Sequence, residues 1–247
     1  NPAFLRLWLS QASTQIGGNM VLFGLTVIVS ATQPNTAVSL LILSFLVPAV
    51  LFSAVAGVYV DRIDRRLVLI ATNLLRGAAI IGLLLVGDNF LLILLLNIFV
   101  STVTVFFAPA EAAMIPEVVP RSLLLTANGV FTLTLNAAFA IGFALLGPLV
   151  INIAGPQAVI VAVAALYFLA AAFCFTLPAS PPPALPAAAE GPHPVGETQK
   201  ALGSIISQLR EGLTFIGQNR SIVWSLLYLG ITASLVASNT SRKRPSR

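Results

Sequence analysis

The segment Gly57-Val58-Tyr59-Val60-Asp61-Arg62-Ile63-Asp64-Arg65-Arg66 sets five charges into six consecutive positions, Asp61 to Arg66. Charge is scarce elsewhere. Of 247 residues, 9% are charged and 57% are hydrophobic, and mean hydropathy is +0.97. On each side of the charges runs an apolar stretch of about 20 residues or more, enough to cross a hydrocarbon core roughly 30 Å thick. A short charged loop between two such stretches reads as a turn between two membrane-crossing helices.

Working outward, the same reading finds six spans: Leu7–Ser30, Ala37–Val60, Leu67–Val86, Phe90–Phe107, Leu123–Ile153 and Ala158–Leu177, with Ile222–Ala237 as a candidate seventh. The runs do not alternate, as the strands of a membrane barrel would. The fold class is therefore all-α, a multi-pass transmembrane helical bundle in the lipid bilayer. Arg62, Arg65 and Arg66 follow span 2, Arg121 follows span 4, and Lys200, Arg210 and Arg220 follow span 6. The loops after spans 1, 3 and 5 hold no Lys or Arg. Lys and Arg accumulate on the cytoplasmic side, so the N-terminus is expected in the cytoplasm and the protein in the plasma membrane.

Residues 1–177 form the six-span unit. A Pro- and Ala-rich linker is expected over 178–198. Leu202, Ile205, Ile206, Leu209, Leu213 and Ile216 fall at helical spacing, so 199–220 reads as an amphipathic cytoplasmic helix. The candidate seventh span occupies 221–238. Arg242, Lys243, Arg244 and Arg247 crowd the tail, 239–247. An outward seventh span would leave them on the wrong side, so the tail is expected to be foreign to the fold, as after a truncation. The first residue is Asn1 rather than Met, so the natural start is expected upstream.

Several function classes fall away. Four of the thirteen basic residues sit in that tail, so the net charge of +5 is no mark of a nucleic-acid binder. No phosphate-binding loop, dinucleotide fingerprint or His/Cys cluster occurs, so neither a cofactor nor a metal is expected. The lone cysteine, Cys174, reads as a packing residue, and the lone histidine, His193, as a solvated linker residue. No nucleophile and base pair suggests an enzyme.

Polar groups inside a bilayer are costly and usually face the bundle interior or a water-filled cavity. Gln11, Gln15 and Asn19 form one stripe on span 1, and Asn128, Thr132 and Asn136 a second on span 5. Both are candidate cavity linings, or else glue between helices. Thr102 joins them as a candidate lining residue, although Thr102 and Thr104 can equally bond their own backbone. Arg76 lies well inside span 3. Glu111 and Glu117 end span 4, where either can meet the arginines of the charged loop, so Glu111, Glu117 and Arg76 are candidate gate partners. Ala49, Ser53 and Gly57 make a small-residue ridge on span 2 that invites a close helix contact. Asp61 and Arg65 stand four apart, a favourable helical pair, and Asp61 is also free to cap another helix.

The charged loop resembles the loop 2–3 signature of the major facilitator superfamily, G-x-x-x-D-R-x-G-R-R/K. Gly57, Asp61, Arg62, Arg65 and Arg66 match, and Asp64 replaces the family glycine. Phe106-Phe107-Ala108-Pro109-Ala110-Glu111, Ile115-Pro116-Glu117-Val118-Val119-Pro120 and Ala127-Asn128 are similar to the span 4–5 junction of that family's macrolide and siderophore efflux branch. Gly142 and Gly147-Pro148 resemble the antiporter signature of span 5. The resemblance implies the six-helix N-terminal half of a secondary transporter with two halves around a central cavity. It also implies that the loop latches an inner gate against the other half, which is missing here. Its implied partners are a small amphipathic substrate and protons. The arginine that the family's antiporters carry in span 4 is absent, and Asn97 is the nearest polar residue. Two readings stay open: a truncated, gradient-driven exporter, and a non-transporting fragment or assembly subunit.

Overall fold

A computed structural model describes residues 1–179 of the chain. The expected linker from Ser180 on, the amphipathic helix, the candidate seventh span and the basic tail lie outside the described residues.

The described chain is helical throughout, with α1 over Pro2–Thr32, α2 over Asn35–Val60, α3 over Arg65–Val86 and α4 over Phe90–Val118. A 3-10 turn, Arg121–Leu123, leads into α5, Leu124–Phe139. A π-helical segment, Ala140–Leu146, joins α5 to α6, Gly147–Ala154, and α7 follows over Pro156–Phe175. Counting α5 to α6 as one, six of these helices are long and apolar enough to cross a membrane. Each of the first six spans read from the sequence has its helix. The fourth runs further than hydropathy indicated, past Pro109 and Pro116 to Val118.

The break in the fifth span has a local cause. Pro148 has no N–H to give, and its ring crowds the carbonyl one turn back. The ladder widens there, and Gly147 N–H bonds to Gly142 O, five residues back rather than four. The same two glycines let this span touch α1. A Cβ on Gly142 would stand 2.5 Å from the Ile16 carbonyl oxygen, and one on Gly147 would stand 2.8 Å from the Phe23 ring. The Gly-Pro signature thus sets both the backbone geometry and the approach of the fifth span to the first.

The helices bury two apolar clusters. One gathers Met20, Leu25, Leu41, Ile80, Val159 and Val163. The other gathers Leu7, Val60, Leu69, Phe107, Met114 and Cys174. Along α1, α3 and α4 the two sets are separated by buried polar residues: Gln11 and Thr14 on α1, Asn73 and Arg76 on α3, and Ser101 on α4. Many exposed positions are large and apolar, such as Leu85, Leu125 and Ile153, as a lipid-facing surface requires.

Candidate functional site

Arg76 organises the polar layer. It is 1% exposed and three turns into α3. Its Nε donates to the Thr72 carbonyl at 3.1 Å and its Nη2 to Asn73 Oδ1 at 2.8 Å. Thr14 on α1 donates to the same Asn73 oxygen at 2.9 Å. The guanidinium lies 4.5 Å from the ring centre of Phe107 on α4 and 4.9 Å from that of Tyr167 on α7, within range of attraction to a π face. Ser10 and Cys174 extend the layer with a 3.0 Å contact. A cation this deep would be unaffordable bare. Here neutral acceptors and two aromatic rings from three helices share it.

A cavity of about 500 Å³ opens beside Arg76. Thr14, Gln15 and Gly18 of α1 form one wall, and Phe45, Ala49 and Ser53 of α2 a second. Ser101, Thr104 and Pro109 of α4 form the third, with Arg76 and Tyr167 at the back. Ser101 Oγ is buried and has no hydrogen-bond partner among the described residues.

The sequence-read stripes behave differently from one another. Of Gln11, Gln15 and Asn19, only Gln15 reaches the cavity. Gln11 is buried at 1% exposure with Oε1 unpartnered. Asn19 donates to the Gln15 carbonyl and packs toward Gly142. Thr102 bonds the Ile98 carbonyl on the face that exposes Leu95, Ile98 and Phe99. Thr104, one helix face away, lines the cavity instead. Asn128, Thr132 and Asn136 are exposed. Thr132 and Asn136 bond carbonyls of their own helix, and none of the three lines this cavity. Asn97 donates to Ser44 at 2.6 Å and ties α4 to α2. Thr14, Asn73, Ser101 and Tyr167 were not singled out from sequence. Asn73 was within reach, because it stands one turn before Arg76.

The charged loop also differs from its reading. α2 ends at Val60 and Asp61 to Asp64 form a turn, so Asp61 and Arg65 share no helix and their four-residue pairing is lost. The cap belongs to Asp64, whose side chain accepts from Arg66 N–H and Leu67 N–H at the start of α3. The acid in the family-glycine position thus serves as an N-cap. Arg65 pairs with Glu117 at the end of α4. Arg66 donates to the Phe175 carbonyl at the end of α7. Arg62 is exposed. Glu111 is buried further along α4 and pairs with none of the loop arginines. Arg76 sits in the interior layer rather than at the gate. At Gly57 an added Cβ would meet nothing within 4 Å, so the expected close contact at the ridge is absent among the described residues.

A family model for the Major Facilitator Superfamily matches residues 7–241. A curated relative described as an uncharacterized MFS-type transporter, YfiS of Bacillus subtilis (strain 168), is 29% identical over 140 residues. That alignment covers 57% of this chain and 33% of the relative, so the chain matches about a third of that protein's length.

Proposed function

The chain belongs to the major facilitator superfamily, and from that premise we propose that residues 1–177 are one six-helix half of a secondary active exporter of small amphipathic molecules, driven by exchange for protons. Family membership points to a transporter rather than an enzyme, with the lipid bilayer and a small molecule as its partners. The observation that carries the reading is the cavity of about 500 Å³ beside Arg76, mostly apolar with a few polar groups such as Gln15, Ser101 and Thr104. Small-molecule sites have this size and this mixture.

Two surfaces support a second half. α2 exposes Ala49 and Ser53 and leaves Gly57 open, while α5 exposes Asn128, Thr132 and Asn136. Exposed amides in lipid are unfavourable, and another bundle against these faces would cover them. The charged loop then divides its work. Arg65 and Arg66 clasp the ends of α4 and α7 within this half, and Gly57 and exposed Asp61 face the other half as the latch. The loop lies in the cytoplasm, the N-terminus with it.

Full-length protein in proteoliposomes tests the reading. With an imposed pH gradient, a fluorescent amphipathic substrate is expected to move faster than in empty liposomes, and a protonophore is expected to abolish the excess. Movement no faster than in empty liposomes under any gradient rejects it in favour of a non-transporting subunit. Undiminished transport by Asp61→Asn rejects the latch.

A further inference from the structure

We propose that the cavity beside Arg76 receives the anionic end of the substrate, a carboxylate or similar group, and discriminates against cations. This deepens the transport reading and rests on it. Among the described residues that line the cavity, Arg76 alone is charged. Its described partners are all neutral: the Thr72 carbonyl, the Asn73 amide oxygen and the rings of Phe107 and Tyr167. A guanidinium carries five N–H donors, and those bonds leave donor capacity for a ligand. Arg76 makes no ion pair among the described residues. The nearest acid in its field is Glu111, which does not line the cavity.

A second feature points the same way. Ser101 Oγ is buried, lines the same cavity and lacks a partner. Buried hydroxyls are nearly always satisfied, so Ser101 Oγ suits an acceptor from beyond the described residues. A planar anion suits both groups, because guanidinium and carboxylate match edge to edge. Phe45, Val100 and Val105 offer an apolar wall for the rest of the molecule. A lipid headgroup is the poorer source of the anion. Arg76 lies about 16 Å along α3 from Arg65 at the helix start, at 1.5 Å per residue, well below headgroup depth.

Three probes sharing one ring test this: 1-naphthylacetate, its amide, and the 1-naphthylmethyl-trimethylammonium cation. Equilibrium binding is measured on full-length protein in nanodiscs of zwitterionic lipid. The acetate is expected to bind about ten- to hundredfold tighter than the ammonium, with the amide between. Arg76→Gln should erase that preference and Arg76→Lys keep a weaker one. Ser101→Ala should weaken the acetate by about threefold to tenfold. Equal binding of acetate and ammonium overturns the proposal. So does a preserved preference in Arg76→Gln that remains monodisperse with a cooperative melt. Should Arg76→Gln fail to fold, unchanged acetate affinity in both Arg76→Lys and Ser101→Ala overturns it. Loss of acetate affinity in nanodiscs of anionic lipid would assign the site to lipid and also overturn it. A transport arm separates the two readings. Arg76-dependent binding without movement across proteoliposomes rejects transport and keeps the anion site. Movement indifferent to probe charge keeps transport and rejects the anion site.

Discussion

Arg65 and Arg76 sit on the same helix three turns apart and do opposite things. Arg65 lies at the first position of α3, partly exposed, paired with the carboxylate of Glu117. Arg76 lies in mid-helix, buried, held by a carbonyl, an amide and two rings. At the rim, water and salt screen a pair, so the exposed contact ties helix ends at modest energy. In the interior screening is weaker and the bonded partners are neutral, so the arginine keeps an electrostatic field that a ligand can feel. Depth, rather than residue type, separates the clasp from the site.

The sharpest way to break that contrast is to remove each arginine in turn. Arg76→Leu takes one of two donors from Asn73 Oδ1, which keeps Thr14, and removes the cation from the rings of Phe107 and Tyr167, at about 1–3 kcal/mol in all. Arg65→Leu is expected to cost about 0–1 kcal/mol. Melting of full-length protein in detergent should show a large drop for the first and a small one for the second. Equal drops would erase the distinction.

Next in size, Gly142→Val tests how α1 is held in the register that presents Thr14 and Gln15. Its side chain would strike the Ile16 carbonyl, where even a Cβ stands at 2.5 Å. Overpacking of this kind costs about 1–3 kcal/mol, and lower accumulation in membranes should follow. Asn97→Leu sharpens the interior side further. It removes the bond to Ser44 that joins α2 and α4, expected at about 0.6–1.7 kcal/mol in a membrane and read by the same melt. Smallest is the reversed rim pair. Glu117→Arg alone should open the clasp, and Arg65→Glu with Glu117→Arg should restore it within about 1 kcal/mol. Failure of the double variant to recover would mean that Arg65 acts on something other than Glu117.

The spans were legible because crossing a bilayer demands length and apolarity, and both are local properties of sequence. The orientation of each helix was not. A soluble helix reveals its buried face by contrast with its wet one, but these helices are apolar on both faces, since lipid replaces water. Hence the stripes on spans 1 and 5 look alike in sequence, while one packs inward and the other is exposed. Thr102 and Thr104 were indistinguishable for the same reason. Arg76 stood out, because an arginine inside an apolar span needs partners. Its partners across the bundle did not, since Phe107 and Tyr167 come from two other helices. In the charged loop, motif spacing located the residues but not the turn that separates Asp61 from Arg65.

Thiol labelling tests the interior site most directly. In full-length protein carrying Cys174→Ala, a water-soluble maleimide is applied to the Thr104→Cys and Thr102→Cys variants, with and without 1-naphthylacetate. Thr104→Cys is expected to label readily and to be protected by the acetate, while Thr102→Cys, among Leu95, Ile98 and Phe99, stays unlabelled. Faster labelling of Thr102→Cys, or labelling of Thr104→Cys that the acetate leaves unchanged, would contradict a ligand site beside Arg76.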